Sequence, residues 1–149
     1  MHAISSELNN ITISTDKSKL DIVMIHHFLA KESYWAKNIP LSIVRKSIGG
    51  SLCFGMYESG KQIGFARVIT DGATFGYLAD VFIVAAFRGR GLAKMFMKEI
   101  MEHPELQGFR RWMLATRDAH GLYALFGFTP LDKPERIMGF SSFIEYPEE

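Results

Sequence analysis

The segment from Val81 to Lys94 restricts the fold more than any other: Val-Phe-Ile-Val-Ala-Ala-Phe-Arg-Gly-Arg-Gly-Leu-Ala-Lys. An apolar strand pattern enters a loop with two glycines, Gly89 and Gly91, and helical spacing begins at Leu92. The first turn of a helix carries N–H groups without intrahelical partners and the positive end of the macrodipole. Glycine lets a backbone approach a ligand closely. Together these features predict an anion site suited to pyrophosphate, with Arg88, Arg90 and Lys94 adding positive charge. The nucleotide loop G-x-x-x-x-G-K-S/T is absent. The dinucleotide fingerprint G-x-G-x-x-G fails because Lys94 stands where its third glycine belongs. The competing reading is a tight strand-to-helix turn bearing solvated arginines.

The periods on either side place this segment in a larger pattern. Ile11 to Ser14 alternates apolar and polar, as a short strand does. Leu20, Val23, Met24 and Phe28 recur at helical spacing over Leu20 to Lys31, with Asp16 or Ser18 as the cap. Tyr34 and Trp35 fall in a loop, and Pro40-Leu41 opens a second short helix ending near Gly49-Gly50. Leu52 to Tyr57 and Gln62 to Thr70 read as strands joined by Glu58-Ser59-Gly60-Lys61, an antiparallel hairpin. Phe75 to Val84 is a third strand. Leu92 to Glu102 reads as a helix with Met95, Phe96, Ile100 and Met101 turned inward, stopped by His103-Pro104. Arg111 to Thr116 is another strand, and Asp118 caps a short helix running through Phe126 and closed by Gly127. Phe128 to Leu131 and Ile137 to Ile144 read as two final strands. The order predicts an α/β fold, a mixed and mostly antiparallel sheet flanked by helices with a central strand–loop–helix crossover. A length of 149 residues fits one domain over 1–149, with polar residues 1–10 loosely held.

Arg88-x-x-Gly91-x-Ala93 resembles the Q/R-x-x-G-x-G/A signature of the GCN5-related N-acetyltransferase (GNAT) superfamily. Gly121-Leu122-Tyr123-Ala124-Leu125-Phe126-Gly127-Phe128 is similar to that family's L-Y-x-x-x-G-F segment, and the order of elements matches from Ile11 to about Ile144. The resemblance implies transfer of an acetyl group from acetyl-CoA directly to a primary amine. It implies that the backbone of Val81, Phe82 and Ile83 meets the pantetheine arm, and that Gly89, Arg90, Gly91, Leu92, Ala93 and Lys94 hold the pyrophosphate beside Arg88. It implies a bulge that splays this strand from its parallel neighbour. It assigns Tyr123 as the acid that protonates the departing thiolate, and a carboxylate at or near Asp80 as the base. The structural alternative for Tyr123 is a satisfied core aromatic; for Asp80 it is a partner for a neighbouring strand. His120 is a rival base. Thr116 stands where many members carry a cofactor-contacting asparagine.

The resemblance places acceptor specificity in the first helices, their loop and the last hairpin. Tyr34, Trp35, Phe75 and Arg136 are the candidates there. Glu32 and Asp80 suit a cationic amine, whereas Arg67 and Arg117 suit a carboxylate. A small-molecule, amino-acid or protein amine all fit. The alternatives are a non-catalytic acyl-CoA sensor of the same fold, transfer to a hydroxyl, and use of a longer acyl chain. With 17 Lys and Arg against 16 Asp and Glu, a net charge of +1 gives no pull toward nucleic acid or an anionic membrane. No apolar run approaches the roughly 20 residues of a membrane span. The N-terminus has no signal-peptide pattern, so a cytoplasmic location is expected. Cys53 lies in an apolar run and reads as buried filler, and no Cys/His cluster has metal spacing. The final strands are placed to pair in a homodimer.

Overall fold

The computed structural model describes residues 10–148, so all of the expected loose tail but Asn10 lies outside the described residues. Five strands form one sheet in the order β1 (Ile11–Ser14), β2 (Leu52–Glu58), β3 (Lys61–Thr70), β4 (Phe75–Ile83) and β5 (Arg111–Leu114). The first three pairings are antiparallel and β4–β5 is parallel. The parallel pair requires a crossover, and α3 (Leu92–Met101) supplies it.

Both faces of the sheet are covered, which explains why β2 and β3 read as near-continuous apolar runs. Helices α1 (Ile22–His27, continuing in a π-helical turn to Glu32) and α2 (Leu41–Gly49) cover one face through Ile25, Phe28, Leu29, Val44 and Ile48. Cys53, Phe65 and Phe82 of the sheet meet them, and Phe82 stacks on Phe28 with ring centroids 3.8 Å apart. On the other face α3 buries Leu92, Phe96, Met97 and Ile100 against Phe54, Met56, Ala66 and Ile83. Met95 and Met101, expected inside, are only partly buried, and Met97 takes the inner position. Cys53 is fully buried, and burial pushes its thiol up to about 11, so filler is its role.

Several expectations need correction. Asp21, not Asp16 or Ser18, caps α1 by accepting from Met24 N at 3.1 Å. Helix α4 spans only His120–Ala124. Asp118 does not cap it; Thr116 Oγ1 accepts from Ala119 N at 3.0 Å instead. The two final strands do not form among the described residues. Pro130 and Pro134 lack the N–H groups a ladder needs, and Pro134–Arg136 makes a 3-10 turn.

Candidate active site

The site begins with a defect in β4. Phe65 pairs with Phe82 and Arg67 with Ala79, so Ala66 alone faces both Asp80 and Val81. This is a β-bulge, and Asp80 holds it in the left-handed region with φ 54°. Such a conformation costs an ordinary residue on the order of 1–3 kcal/mol, least for Asp, Asn and Gly. Two bonds hold it: Asp80 Oδ1 accepts from Trp35 Nε1 at 2.7 Å and Oδ2 from Arg67 Nε at 2.9 Å. Arg67 in turn donates from Nη1 to Ser51 Oγ at 3.1 Å. The two charged side chains are 10% and 15% exposed. The β4–β5 ladder stops at Leu78–Leu114, just before the bulge. Beyond it, the strands separate and Ala79–Ile83 has no ladder on the β5 side.

Two cavities occupy this opening. One, of about 570 Å³, runs along Val81, Phe82 and Ile83 to the loop carrying Phe87, Arg88, Gly89, Gly91, Ala93 and Lys94. The other, of about 760 Å³, is walled by Ile39, Ile43, Ser47, Arg67, Tyr77, Asp80, Thr116 and Tyr146. They share Tyr34, Trp35, Val81, Asp118, Ala119 and Tyr123. Tyr123 thus stands at their junction. It is buried, and desolvation first, then the nearby Tyr34 and Asp118, raises its phenol above the ordinary value of 10. The proton stays on through neutral pH. Tyr34 joins the loop after α1 to the loop after β5: its Oη accepts from Arg117 N at 2.9 Å, and the Arg117 guanidinium lies 3.9 Å over its ring.

The glycine loop is built as an anion site requires. Gly89 and Gly91 have φ 81° and 76°, and Gly91 is the N-cap of α3. No atom lies within 4 Å of a Cβ built at either position, so their constraint is backbone geometry and not crowding. Gly91→Val therefore forces a β-branched residue into a conformation that costs L-residues roughly 1–2 kcal/mol. Titration calorimetry of that variant with acetyl-CoA, the cofactor the sequence resemblance implies, should show affinity reduced at least about tenfold, with Gly91→Asn close to the parent because asparagine tolerates positive φ. Equal affinities for all three would mean that this dihedral does not shape the site.

The expected residues are not all brought together. Val81–Ile83, Arg88, Gly89, Gly91, Leu92, Ala93 and Lys94 line the smaller cavity. Arg90 turns its guanidinium to Glu58 at 3.0 Å and over Phe87, leaving only its backbone to the loop. Thr116 lines the larger cavity. Tyr34 and Trp35 wall both. Phe75, at the opposite end of β4, lines neither, and His120 lines neither. Arg136 borders a third cavity near Trp112 and Phe128. Ser47, Tyr77 and Tyr146 were not read from the sequence as site residues. Tyr77 follows the strand alternation of Phe75 and Ala79, but nothing in the sequence marks Tyr146 as returning to α2's loop.

Comparison with known proteins decides the family. Residues 22–128 match the model of the acetyltransferase (GNAT) family. The chain belongs to the GNAT acetyltransferase family. A candidate GNAT-family acetyltransferase from Xanthomonas campestris pv. campestris is 53% identical, over 88% of this chain and 92% of that one, with a TM-score of 0.86. A candidate acetyltransferase of Gibberella zeae is 32% identical over 133 residues, 74% of each chain. A predicted acetyltransferase from Clostridium acetobutylicum, whose structure was solved with acetyl-CoA, shares the GNAT fold at 14% identity (TM-score 0.64, 89% of this chain and 95% of that one). Among the described residues of this GNAT chain, no helix is long and apolar enough to cross a membrane, and no group of three His, Cys, Asp or Glu side chains could hold a metal.

Proposed function

We propose that this GNAT protein is an acetyl-CoA-dependent N-acetyltransferase that transfers the acetyl group directly to a primary amine. One observation carries the reading: a buried, protonated Tyr123 stands where a glycine-loop cavity meets a separate aromatic cavity. The residues fit the cofactor. The amides of the Gly89–Lys94 loop and the start of α3 would hold pyrophosphate, with Arg88 and Lys94 adding charge. The unladdered edge of Val81–Ile83 offers backbone groups to an amide-bearing arm laid beside it, much as a sheet edge accepts a strand. Acetyl-CoA supplies an activated thioester. Tyr123 holds at Oη the proton that a departing thiolate needs. A backbone N–H of the bulged strand would polarise the thioester carbonyl. Asp80, with both oxygens engaged, holds the bulge, and the amine arrives neutral. The acceptor enters the larger cavity between Tyr34, Trp35, Tyr77 and Tyr146.

The test is calorimetric titration with acetyl-CoA followed by thiol release on a panel of amines. Micromolar binding with amine-dependent release is expected. Absence of binding would overturn the cofactor assignment. Binding without release from any amine would favour the acyl-CoA sensor.

A further inference from the structure

Tyr34, Trp35 and Ile43 are 44%, 41% and 39% exposed, and all three line the larger cavity. Single exposed apolar residues are ordinary, whereas several that converge on one hollow mark a binding surface. Tyr77 and Tyr146 add two more rings to the wall. The charges of that wall are matched in pairs. Among the described residues, Arg67, Asp80, Arg117 and Asp118 are the charged side chains that line this cavity. Arg67 and Asp80 lie 2.9 Å apart and both are largely buried. Arg117 Nη2 lies 3.9 Å from Asp118 Oδ2, and its guanidinium covers the Tyr34 ring. Glu32 lines the smaller cavity only and sits 3.8 Å from His27. The opposed attractions that the sequence suggests, acids for a cationic amine and arginines for a carboxylate, therefore cancel.

Resting on the N-acetyltransferase reading above, we propose that the acceptor is an arylalkylamine: a primary amine on an aromatic body that carries neither a carboxylate nor a second cation. Desolvation disfavours the other classes. A carboxylate brought here finds both arginines already matched with acids, and a second ammonium finds both acids matched with arginines. An unmatched charge taken out of water is costly. Aromatic walls instead favour a flat apolar body, because offset and edge-to-face ring pairs gain beyond the area they bury. The cavity, of about 760 Å³, falls within the roughly 300–1,000 Å³ of sites that hold drug-sized ligands, so one- and two-ring bodies fit. Tyr123, at the junction with the smaller cavity, fixes which end carries the amine. There the amine nitrogen bonds to the acetyl carbon as the carbon–sulfur bond breaks. Sulfur takes the proton of Tyr123, the nitrogen gives its surplus proton to solvent, and Tyr123 is reprotonated from solvent.

Thiol release with acetyl-CoA tests this when compared across tryptamine, phenylethylamine, their carboxylated forms tryptophan and phenylalanine, diaminobutane and a lysine-containing peptide. The expected kcat/KM for the two arylalkylamines is at least about a hundredfold above the rest. Calorimetric titration of tryptamine into protein saturated with CoA reads the site without the chemistry, and binding is expected. Tyr77 lines only the larger cavity, so Tyr77→Leu should lower kcat/KM for tryptamine about tenfold and leave acetyl-CoA affinity unchanged. Ile43→Arg, at an exposed position, supplies an unmatched charge and should shift preference toward tryptophan. Release that is fastest with the amino acids, the diamine or the peptide overturns the arylalkylamine and leaves the transferase. Tryptamine binding without release from any amine upholds the ligand class of the cavity and overturns the transferase. Failure of tryptamine to bind overturns the proposal.

Discussion

Replacing Tyr123 by phenylalanine lowers kcat by about a hundredfold or more and leaves acetyl-CoA affinity nearly unchanged, as loss of a positioned general acid should. The substitution removes one oxygen from a buried ring that otherwise packs beside Phe128 at 6.1 Å, so the fold is retained. The pH dependence follows from the raised phenol. A group whose pKa is raised keeps its proton longer as pH climbs, so the parent's kcat shows no fall from phenol ionisation below about pH 10. The same sign governs stability: Tyr123's contribution is complete below its ordinary value of 10 and is lost as pH rises from there through its raised folded value. Steady-state kinetics on both proteins from neutral to alkaline pH check this. Equal kcat across that range would remove Tyr123 from the chemistry.

Asp80→Ala destabilises the fold by about 3 kcal/mol, because it strands the Arg67 guanidinium in a largely buried position and leaves a Cβ residue at positive φ without its two bonds. In a chain of this size that lowers Tm by about 9 °C. Asp80→Asn costs less: asparagine tolerates the conformation and still offers Trp35 an acceptor. Adding Arg67→Met to Asp80→Asn should recover part of the loss, and a double-mutant cycle by thermal unfolding reads the coupling. The cycle also separates two roles. If Asp80 only holds the bulge, Asp80→Asn keeps the acidic limb of the kcat/KM profile. Loss of that limb would make Asp80 the base.

What the sequence made legible was what local chemistry dictates. The Arg88–Lys94 loop is readable because only a few physical arrangements need two glycines between an apolar strand and a helix. Strands β2 to β4 are readable because apolar runs are cut by the Glu58–Lys61 turn and Asp71-Gly72. Asp80 drew notice as a carboxylate in an apolar strand, but its partners, Trp35 and Arg67, lie 45 and 13 residues away. The bulge is implied by the family resemblance, but its position at Asp80 and Val81 is announced by no residue type. The last two strands do not form because alternation records only a preference for pairing, which Pro130 and the Pro134–Arg136 turn override. Phe75 was misplaced for a related reason: its type suits a pocket, yet it begins the strand whose far end makes the site.

The Tyr34–Arg117 crossing has a kinetic consequence. A single residue pair, 83 positions apart, fastens two loops by one hydrogen bond and one cation–ring contact. Each contact at an exposed position is worth about 1 kcal/mol. Together they form a clasp that is undone in roughly one molecule in thirty at any instant. The two loops therefore part and rejoin by thermal motion alone, on the timescale of loop movement.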